Sequence, residues 1–408
     1  MKRVVITGFS AITSLGDNWH DFKKALQQGE NAVVKLAQWD EVSGLNTKLA
    51  APITDYKTPS HYKRKQIRSM GKVSIMSTQA TENALTQAGL LGTELLTSGD
   101  VGISYGSSMG STSAIPAFGD LLKDNNMDGI TATSYLQMMP HTTPVNVGVF
   151  FGLKGRTITT SSACTSSSQG IGYAYEAIKY GRQKAMVAGG AEELCLSSAA
   201  VFDTLFAASI NNDNPKDTPR PFDQDRDGLV IGEGACSFIL EDLDYAKARG
   251  AIILAEIVGF GTNADGKHVT QPTAETMKTA MVLALEDANL SPSDIGYVNA
   301  HGTSTEKGDI AESYATYHTL GNVPISSLKS YLGHTLGACG AIEAWASINM
   351  MQDNWFAPTL NLKNVDSQCA PLDYIQGEGR ELKTDYVMSN NFAFGGINTS
   401  LIFKRWTN

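Results

Sequence analysis

The sequence reads Ser161-Ser162-Ala163-Cys164-Thr165-Ser166-Ser167-Ser168-Gln169-Gly170 where a strand-like run (157–160) gives way to a helix-like run (169–180). A thiol at such a strand-to-helix turn lies near the positive end of the helix dipole, which favours the thiolate form. The small residues on both sides let a bulky substrate come close to the sulfur. The stretch therefore predicts that Cys164 is a nucleophile, with a buried structural cysteine as the competing interpretation.

The composition excludes several classes of protein. Hydrophobic residues make up 42% of the 408-residue chain and charged residues 18%, as expected for a large globular protein. The net charge of −9 and the lack of a basic run argue against a nucleic-acid partner. No apolar run reaches the roughly 20 residues needed to cross a bilayer, so no membrane span is predicted. The five cysteines lack the spacing of a disulfide framework or a zinc site, and we expect a cytoplasmic protein.

A repeated helix-end pattern indicates that the chain contains two related halves. Ala84-Leu85-x-x-Ala88-x-Leu90 recurs as Ala284-Leu285-x-x-Ala288-x-Leu290, and an acid-aliphatic-Gly strand start follows each copy. Chance similarity of two amphipathic helices is the alternative explanation. Duplication predicts an α/β fold in which residues 1–250 and residues 251–408 form two halves that pack as one body. Apolar runs predict strands over 156–160, 185–188, 234–240, 252–258 and 401–403.

Two histidines of the second half lie in small-residue settings that are typical of turns. They occur in Ala300-His301-Gly302-Thr303-Ser304-Thr305 and in Gly333-His334-Thr335-Leu336-Gly337. Glycine beside a histidine lets the backbone and a substrate approach the ring closely. Either histidine alone is as readily structural as catalytic. Together with Cys164, they favour a site built from one thiol and two imidazoles, where the two halves meet.

A set of motifs in a fixed order carries a resemblance to a known family. The motifs are Ser162-Ala163-Cys164-Thr165-Ser166, Gly189-Gly190-Ala191-Glu192-Glu193-Leu194-Cys195, Arg220-Pro221-Phe222-Asp223, Arg226-Asp227-Gly228, His301-Gly302-Thr303-Ser304-Thr305, Gly308-Asp309, Lys329, Gly333-His334, Leu336-Gly337 and Asn391-Phe392-Ala393-Phe394-Gly395-Gly396. In these motifs the chain resembles the β-ketoacyl-acyl-carrier-protein synthases, which are condensing enzymes of the thiolase superfamily. The 189–195 segment and Val387-Met388-Ser389-Asn390 lean toward the synthase I branch.

The resemblance implies a fold and a reaction. The fold would be thiolase-like, with two duplicated βαβαβαββ halves in a five-layered αβαβα arrangement. Cys164 would accept an acyl primer from acyl carrier protein as a thioester, and malonyl carrier protein would lose carbon dioxide to give the attacking enolate. His301 and His334, as neutral imidazoles, would donate ring N–H groups to the enolate oxygen. No metal or redox cofactor is implied, since the substrates are carried on the phosphopantetheine of the carrier protein.

Further site residues are implied by the same resemblance. Lys329 matches the active-site lysine of the family, and Glu312 matches the acid that pairs with it. The backbone N–H groups of Cys164 and Phe394 would form the oxyanion hole, and Phe394 would act as a gate beside the nucleophile. An ST-turn at the threonines and plain core packing of the apolar residues are the competing interpretations of the pantetheine and acyl-chain contacts. Those contacts would be Thr303, Thr305, Met109, Phe202 and Phe392.

Three departures from the family pattern bear on the substrate. Ala393 stands where the family usually has Gly, Asn391 where it has Ser, and Phe206 where many relatives have Arg. Ala393 would stiffen the gate or, if its position requires a positive φ, shift the resting state of the gate. The primer therefore stays open between an ordinary fatty acyl chain and a polyene, aryl-primed or polyketide-like one.

Three other classes of protein share part of the pattern. A chain-length-factor subunit keeps the fold but normally lacks the nucleophile, a thiolase uses a second cysteine near its C-terminus, and a papain-like hydrolase shares only the cysteine and one histidine. Cys164, His301 and His334 together disfavour the first class. The 391–396 segment, which stands where a thiolase has its second cysteine, disfavours the second. The second histidine, Lys329 and the repeated helix pattern disfavour the third. As partners, the resemblance implies acyl carrier protein and a second copy of the chain in a homodimer, with a ketosynthase paralogue in a heterodimer as the alternative.

Overall fold

The computed structural model describes residues 1–407. Its strands are β1 (Val4–Thr13), β2 (Val34–Lys35), β3 (Leu49–Ala51), β4 (Val101–Gly106), β5 (Thr157–Thr160), β6 (Ala185–Glu192), β7 (Ile231–Gly232), β8 (Gly234–Asp242), β9 (Ala255–Ala264), β10 (Tyr297–Asn299), β11 (Pro324–Ser326), β12 (Trp355–Phe356), β13 (Asp373–Tyr374), β14 (Arg380–Glu381), β15 (Tyr386–Ala393) and β16 (Ile397–Arg405). Its helices are α1 (Trp19–Gln28), α2 (Arg64–Ile67), α3 (Lys72–Gln87), α4 (Ile115–Asp124), α5 (Ser134–Met138), α6 (Thr142–Phe151), α7 (Ser166–Lys179), α8 (Leu196–Thr204), α9 (Leu243–Ala248), α10 (Ala274–Ala288), α11 (Glu306–Leu320), α12 (Lys329–Leu332) and α13 (Cys339–Asp353). Across this range, no helix combines the length and the apolar character needed to cross a membrane.

One mixed sheet of 11 strands runs through the molecule in the order β13-β11-β10-β15-β16-β9-β1-β8-β6-β4-β5. Its two halves join where β1 pairs with β9. From that junction outward, the N-terminal half has its first strand, then its last, and then its fourth, second and third strands. The C-terminal half follows the same order once β13, an additional strand at its outer edge, is set aside. In both halves, two antiparallel pairings are followed by two parallel ones. The same order and directions confirm the duplicated α/β organisation.

Helices separate and cover the two halves of the sheet. α3 and α6 pack on the outer face of the N-terminal half, and α10, with α11 against it, covers the outer face of the C-terminal half. α7 and α13 pack against each other between the halves, and each touches both of them. The result is the five-layered αβαβα arrangement. Residues 339–351 of α13 are all buried, as expected for a helix in a central layer.

The predicted strands are confirmed, with observed limits that differ for physical reasons. The runs over 185–188, 234–240 and 252–258 lie in β6, β8 and β9, which extend further because each pairs with neighbours on both sides. The first strand does not stop at Thr7-Gly8, where its apolar run is interrupted. A bulge between Ile6 and Gly8 lets β1 continue to Thr13. Residue 250, the predicted end of the first half, falls between α9 and β9.

A glycine on the first strand of each half brings a helix close to the sheet. Gly8 of β1 lies against Ala84 of α3, and Gly259 of β9 lies against Ala284 of α10. A Cβ at either glycine would collide with the carbonyl oxygen of the facing alanine and press on the alanine one turn further along. The repeated helix-end pattern thus lies at the same helix–sheet contact in both halves, which gives the repeat a structural cause.

We predict that Gly259→Ala destabilises the protein by about 1–3 kcal/mol, because the added methyl group must push β9 away from α10. The matched control is Gly148→Ala in α6, where a Cβ would meet nothing within 4 Å. There, the gain in helix propensity should stabilise the protein by about 0.5–1 kcal/mol. Urea denaturation at a single protein concentration measures both changes. Equal stability of the two variants would contradict the close contact.

Candidate active site

Four turns at the ends of strands bring the predicted residues together. Cys164 lies between β5 and α7, His301 follows β10, His334 lies between α12 and α13, and Phe394 joins β15 to β16. The duplication accounts for part of this arrangement. The connection from β5 to α7 and the connection from β11 through α12 to α13 each end in a short 3₁₀ turn, 163–165 or 336–338, directly before the central helix. One copy of this turn supplies the cysteine, and the other follows directly on His334.

Both 3₁₀ turns begin with a strained backbone. Ala163 has φ of 51° and Leu336 has φ of 49°, in the left-handed region that side chains other than glycine rarely adopt. Such residues cost of order 1–3 kcal/mol each and persist only where the surrounding structure holds them. The sharp turn at Ala163 lets Cys164 project its side chain into the space between the halves while its backbone enters α7.

The thiol and the two imidazoles converge. His334 Nε2 lies 2.9 Å from Cys164 Sγ, and the two imidazole rings are 5.2 Å apart at 86° to each other. The sulfur and one nitrogen of each ring lie within 4.8 Å of one another. Cys164, His301 and His334 are only 3%, 6% and 1% exposed. Their chemistry therefore takes place in a pocket from which most water is excluded.

Hydrogen bonds at the far side of each ring assign the tautomers. The backbone N–H of Leu336 donates to His334 Nδ1 over 3.3 Å. The side-chain amide nitrogen of Asn391 lies 3.4 Å from His301 Nδ1 and also donates to Glu343 over 2.7 Å, which identifies it as the NH₂ end of the amide. An Nδ1 that accepts a hydrogen bond leaves the ring proton on Nε2. Both histidines therefore direct an N–H group toward Cys164.

The protonation states of Cys164, His301 and His334, here called the trio, differ from the sequence prediction. The helix dipole predicts a thiolate at Cys164. Burial raises the pKa of Cys164 to about 11, although a hydrogen bond from the backbone N–H of Phe394 and the charge of Lys329 act against this rise. Burial and then the charge of Lys329 hold the pKa values of His301 and His334 well below the ordinary value for histidine. At neutral pH the site thus holds a thiol and two neutral imidazoles. The helix dipole does not offset the loss of solvation.

The buried ion pair at the site joins Lys329 to Glu343 of α13, not to Glu312. The expected pairing with Glu312 is therefore wrong. Burial is the largest influence on the pKa of Lys329 and lowers it, but the charge of Glu343, the charges of Cys339 and Glu312 and the hydrogen bond to Glu343 together raise the pKa, so the pair is ionic. Glu343 stands alone in the apolar run Gly340-Ala341-Ile342-Glu343-Ala344-Trp345. A single acid within an apolar helix was the signal that would have found it.

Glu312 instead holds the backbone of the histidine loop. Its two carboxyl oxygens accept the backbone N–H groups of His301 and Gly302, each over 2.7 Å. Burial raises the pKa of Glu312 to about 8, and these two N–H groups limit the rise. Glu312 lies on α11, directly after the loop that it fixes, so its contribution is to place His301.

Glu192 ties the two halves together beside the site, a role that the sequence did not reveal. It is buried at the end of β6 and accepts hydrogen bonds from the backbone N–H of Ser108 over 2.7 Å and of Gly337 over 3.0 Å. Ser108 belongs to the first half, whereas Gly337 follows His334 in the second. The carboxylate therefore links the turn after His334 to the end of β4.

The Phe394 loop supplies two backbone donors next to the sulfur. The backbone N–H groups of Phe394 and of Cys164 itself are both within hydrogen-bond reach of Sγ. Phe394 is 40% exposed, and Gly395 and Gly396 after it have φ values of 95° and 75°. Ala393 is not among the residues with positive φ and pairs with Ile397 in the β15–β16 hairpin. The alanine therefore introduces no backbone strain, and the freedom of the loop lies in the two glycines.

A cavity of about 490 Å³ opens from the trio toward the surface. Thr303 and Thr305 line it with hydroxyl groups 2.9 Å apart, and Phe202, Phe392 and Phe394 supply apolar wall. Phe206 stands at the rim, 91% exposed with φ of 53°. Met109 does not line this cavity, and its sulfur instead accepts a hydrogen bond from Ser197 over 3.6 Å. A contact between Met109 and an acyl chain stays a prediction.

The trio also has the residue types of a zinc site, since one cysteine and two histidines can bind that ion. A metal bound at both Nε2 atoms would require the ring protons to move to Nδ1, where metal-binding histidines usually donate to an acceptor. Here both Nδ1 atoms face N–H donors, from Leu336 and Asn391. The surroundings of the rings therefore suit two N–H donors and oppose a cation.

Comparisons with known proteins agree on one family. The family model for the beta-ketoacyl synthase N-terminal domain matches residues 1–246, and the model for the C-terminal domain matches residues 254–363. The chain is 35% identical to 3-oxoacyl-[acyl-carrier-protein] synthase 2 of Synechocystis, covering 99% of this chain and 98% of the relative. It is 36% identical to the protein of that name from Coxiella burnetii, covering 99% of each. These relatives are named synthase 2, and the lean toward the synthase I branch stays a prediction.

Solved structures show the same fold. A beta-ketoacyl synthase from Burkholderia phymatum STM815 superposes with a TM-score of 0.99 at 60% identity over the full length of both chains. The ishigamide ketosynthase/chain length factor superposes with a TM-score of 0.90 at 27% identity, again over both full chains. A structure of a type II PKS acyl-carrier protein in complex with its ketosynthase superposes with a TM-score of 0.85 at 29% identity, also over the full length of both chains.

We predict that Glu343→Leu destabilises the protein by about 3–5 kcal/mol, because it leaves the ammonium group of Lys329 buried without a counter-charge. The double variant Lys329→Met/Glu343→Leu removes both charges and should recover most of that loss. Urea denaturation of the wild type, both single variants and the double variant completes the cycle. If the double variant were as unstable as the sum of the two singles, Lys329 and Glu343 would not interact.

Proposed function

Because the chain belongs to the β-ketoacyl synthase family of condensing acyltransferases, we propose that Cys164 carries the acyl primer while His301 and His334 stabilise the enolate that attacks it. One observation carries this assignment of roles: a buried thiol faces the Nε2–H groups of two neutral imidazoles. The chain extends an acyl group by two carbons in a decarboxylative condensation, and the roles below follow from the geometry of the trio.

In the first half-reaction, Cys164 Sγ attacks the carbonyl carbon of an acyl thioester on the pantetheine of acyl carrier protein. The bond from Sγ to the carbonyl carbon forms and the bond to the pantetheine sulfur breaks. The thiol proton ends on the departing pantetheine sulfur, so the step is balanced without a charged base. The backbone N–H groups of Cys164 and Phe394 donate to the carbonyl oxygen as it becomes negative.

In the second half-reaction, a malonyl thioester loses carbon dioxide and the electrons of the broken C–C bond form an enolate. The Nε2–H groups of His301 and His334 donate to the enolate oxygen, and because both rings are neutral they stabilise the charge without protonating the carbon. The enolate carbon then attacks the acyl group on Cys164. Collapse of the tetrahedral intermediate releases a product two carbons longer and a Cys164 thiolate, which takes up a proton.

The cavity provides for a substrate that arrives on a long flexible arm. The hydroxyl groups of Thr303 and Thr305 are half-buried on its wall, where they can hydrogen-bond the amides of pantetheine. Phe202 and Phe392 provide apolar surface for the acyl chain, and Phe394 moves on the Gly395-Gly396 hinge to admit it. These contacts, together with Lys329 and Glu312 as groups that hold the site in place, complete the proposed machinery. It requires no metal or redox cofactor of its own.

Acyl carrier protein is the proposed partner in both half-reactions, as it is of the relatives that are named for it. We place the protein in the cytoplasm, where such carriers are loaded. A role as a catalytically inactive subunit of the chain-length-factor kind has no support in the site, because Cys164, His301 and His334 are all present and aligned.

A homodimer is proposed from the free edge of the sheet. β5 is the edge strand of the large sheet. The carbonyl groups of Arg156 and Thr160 accept hydrogen bonds from the backbone on the β4 side. Because backbone groups of successive residues in a strand point to opposite sides, those of Thr157 and Thr159 point away from β4. An unpaired edge strand is a template for a second chain. An exposed apolar side chain accompanies it on the neighbouring helix α6, where Val149 is 78% exposed. Pairing of two β5 strands about a two-fold axis would cover both features.

We predict that Cys164→Ala forms no acyl adduct with any acyl carrier protein, whereas His334→Ala still forms one. Condensation by His334→Ala should fall by about 10²–10³-fold, because one N–H donor to the enolate is lost. Intact mass of the protein reports the adduct, and the β-ketoacyl product reports condensation. A wild-type condensation rate in His334→Ala would show that the enolate is stabilised elsewhere.

We predict a dimer of twice 43.6 kDa at micromolar concentration by light scattering. Thr159→Pro should weaken it, since proline removes an N–H group from the free edge of β5 without taking a hydrogen bond from β4. Thr159→Val, which keeps that N–H group, is the matched control and should remain dimeric. A wild-type protein that is monomeric, or a heterodimer formed only with a paralogue, would contradict the homodimer.

A further inference from the structure

We propose that Asn391 is a positioning residue that fixes the ring proton of His301 on Nε2, an inference that rests on the proposed role of His301. Asn391 lies on β15 and is fully buried. Its amide nitrogen donates to Glu343 over 2.7 Å and stands 3.4 Å from His301 Nδ1. It is thus the side chain that reaches the far nitrogen of this ring.

The orientation of the Asn391 amide is set by Glu343. A carboxylate can only accept hydrogen bonds, so the amide must turn its NH₂ group toward it. The reverse orientation would place the amide oxygen against the negative oxygen of Glu343. Glu343 is in turn held and kept ionic by Lys329. A chain of contacts therefore runs from the charge of Lys329 through Glu343 and Asn391 to His301.

The amide oxygen of Asn391 has no hydrogen-bond partner although it is buried. A buried polar atom without a partner costs stability, whereas the amide nitrogen of Asn391 is placed against two acceptors, Glu343 and His301 Nδ1. The same atom lies against Gly340, where a Cβ would come within 2.6 Å of it. The hydrogen bonds of the amide nitrogen therefore fix the Asn391 side chain, although its amide oxygen is left without a partner.

The two histidines obtain the same tautomer by different means. His334 Nδ1 accepts from a backbone N–H, that of Leu336, which no substitution of Leu336 other than proline removes. His301 Nδ1 depends on a side chain, so its tautomer can be changed by mutation. A serine hydroxyl can either donate or accept a hydrogen bond, whereas this amide nitrogen only donates. A serine at this position would be compatible with either tautomer of His301. Asn391, which can only donate to Nδ1 through its amide nitrogen, specifies the Nε2–H tautomer.

The test uses Asn391→Asp and Asn391→Leu. In Asn391→Asp, one carboxyl oxygen shares a proton with Glu343, because two carboxylates at this distance cannot both be ionised. The other oxygen faces His301 Nδ1 as an acceptor, draws the ring proton to that nitrogen and leaves a lone pair on Nε2 where the enolate oxygen must be. Condensation should fall by about 10²–10³-fold while acylation of Cys164 persists. Asn391→Leu has a similar volume but no donor, so its ring should populate both tautomers and its condensation should fall less.

The control is Asn390→Leu, the neighbouring buried asparagine on β15, whose side-chain amide has no hydrogen-bond partner. It should leave the ring of His301 and the condensation rate unchanged. Nitrogen NMR of protein labelled with ¹⁵N-histidine, with the signals of His301 assigned by their loss in His301→Gln, reads the tautomer directly. We expect Nε2–H in the wild type and in Asn390→Leu, and Nδ1–H in Asn391→Asp.

Three results would overturn the inference: an Nδ1–H ring in the wild type, an Nε2–H ring that persists in Asn391→Asp, or wild-type condensation by Asn391→Asp. Loss of condensation with the Nε2–H ring retained would mean that Asn391 acts only through packing. Failure of the proposed function looks different. In that case His301→Gln would condense at the wild-type rate, whatever the ring spectrum of the Asn391 variants.

Discussion

The buried ion pair of Lys329 and Glu343 is the interaction on which the site depends. Lys329 places a positive charge among groups that have lost their hydration, and its charge adds to burial in keeping both imidazoles neutral. Glu343 compensates the buried charge of Lys329 and orients the amide nitrogen of Asn391 toward His301. An ion pair is rarely a gain in stability at such depth. Here the ion pair orients the groups around Cys164 Sγ and keeps them uncharged.

Gene duplication explains how the site is assembled and why it is asymmetric. In each half, a 3₁₀ turn directly precedes the central helix, and the two turns meet between the halves. One turn carries the nucleophile Cys164, and the other follows His334, whose ring accepts the backbone N–H of Leu336. Glu192 then fastens the second turn to the first half. The same backbone thus presents a nucleophile on one side and a hydrogen-bond donor on the other.

Much of this could be predicted from local patterns. The helix-end repeat at Ala84 and Ala284 indicated the duplication, and small-residue turns indicated Cys164 and the histidines. The predictions that were wrong depend on contacts between residues far apart in the sequence. Glu312 lies close to His301 in sequence and was paired with Lys329, but the true partner, Glu343, is brought in by a helix from the central layer. The thiolate prediction failed because a helix dipole is visible in sequence, whereas the degree of burial is not.

Cys164, His301 and His334 are uncharged in the resting site, and this state can be checked by the pH dependence of Cys164 alkylation. Iodoacetamide reacts with the thiolate, and mass spectrometry of the peptide that contains Cys164 separates this thiol from the other four. We expect an alkylation rate that rises about tenfold per pH unit through pH 9 without a plateau, since the thiol pKa is raised to about 11. A rate that levels off near neutral pH would reveal a thiolate paired with an imidazolium and would contradict it.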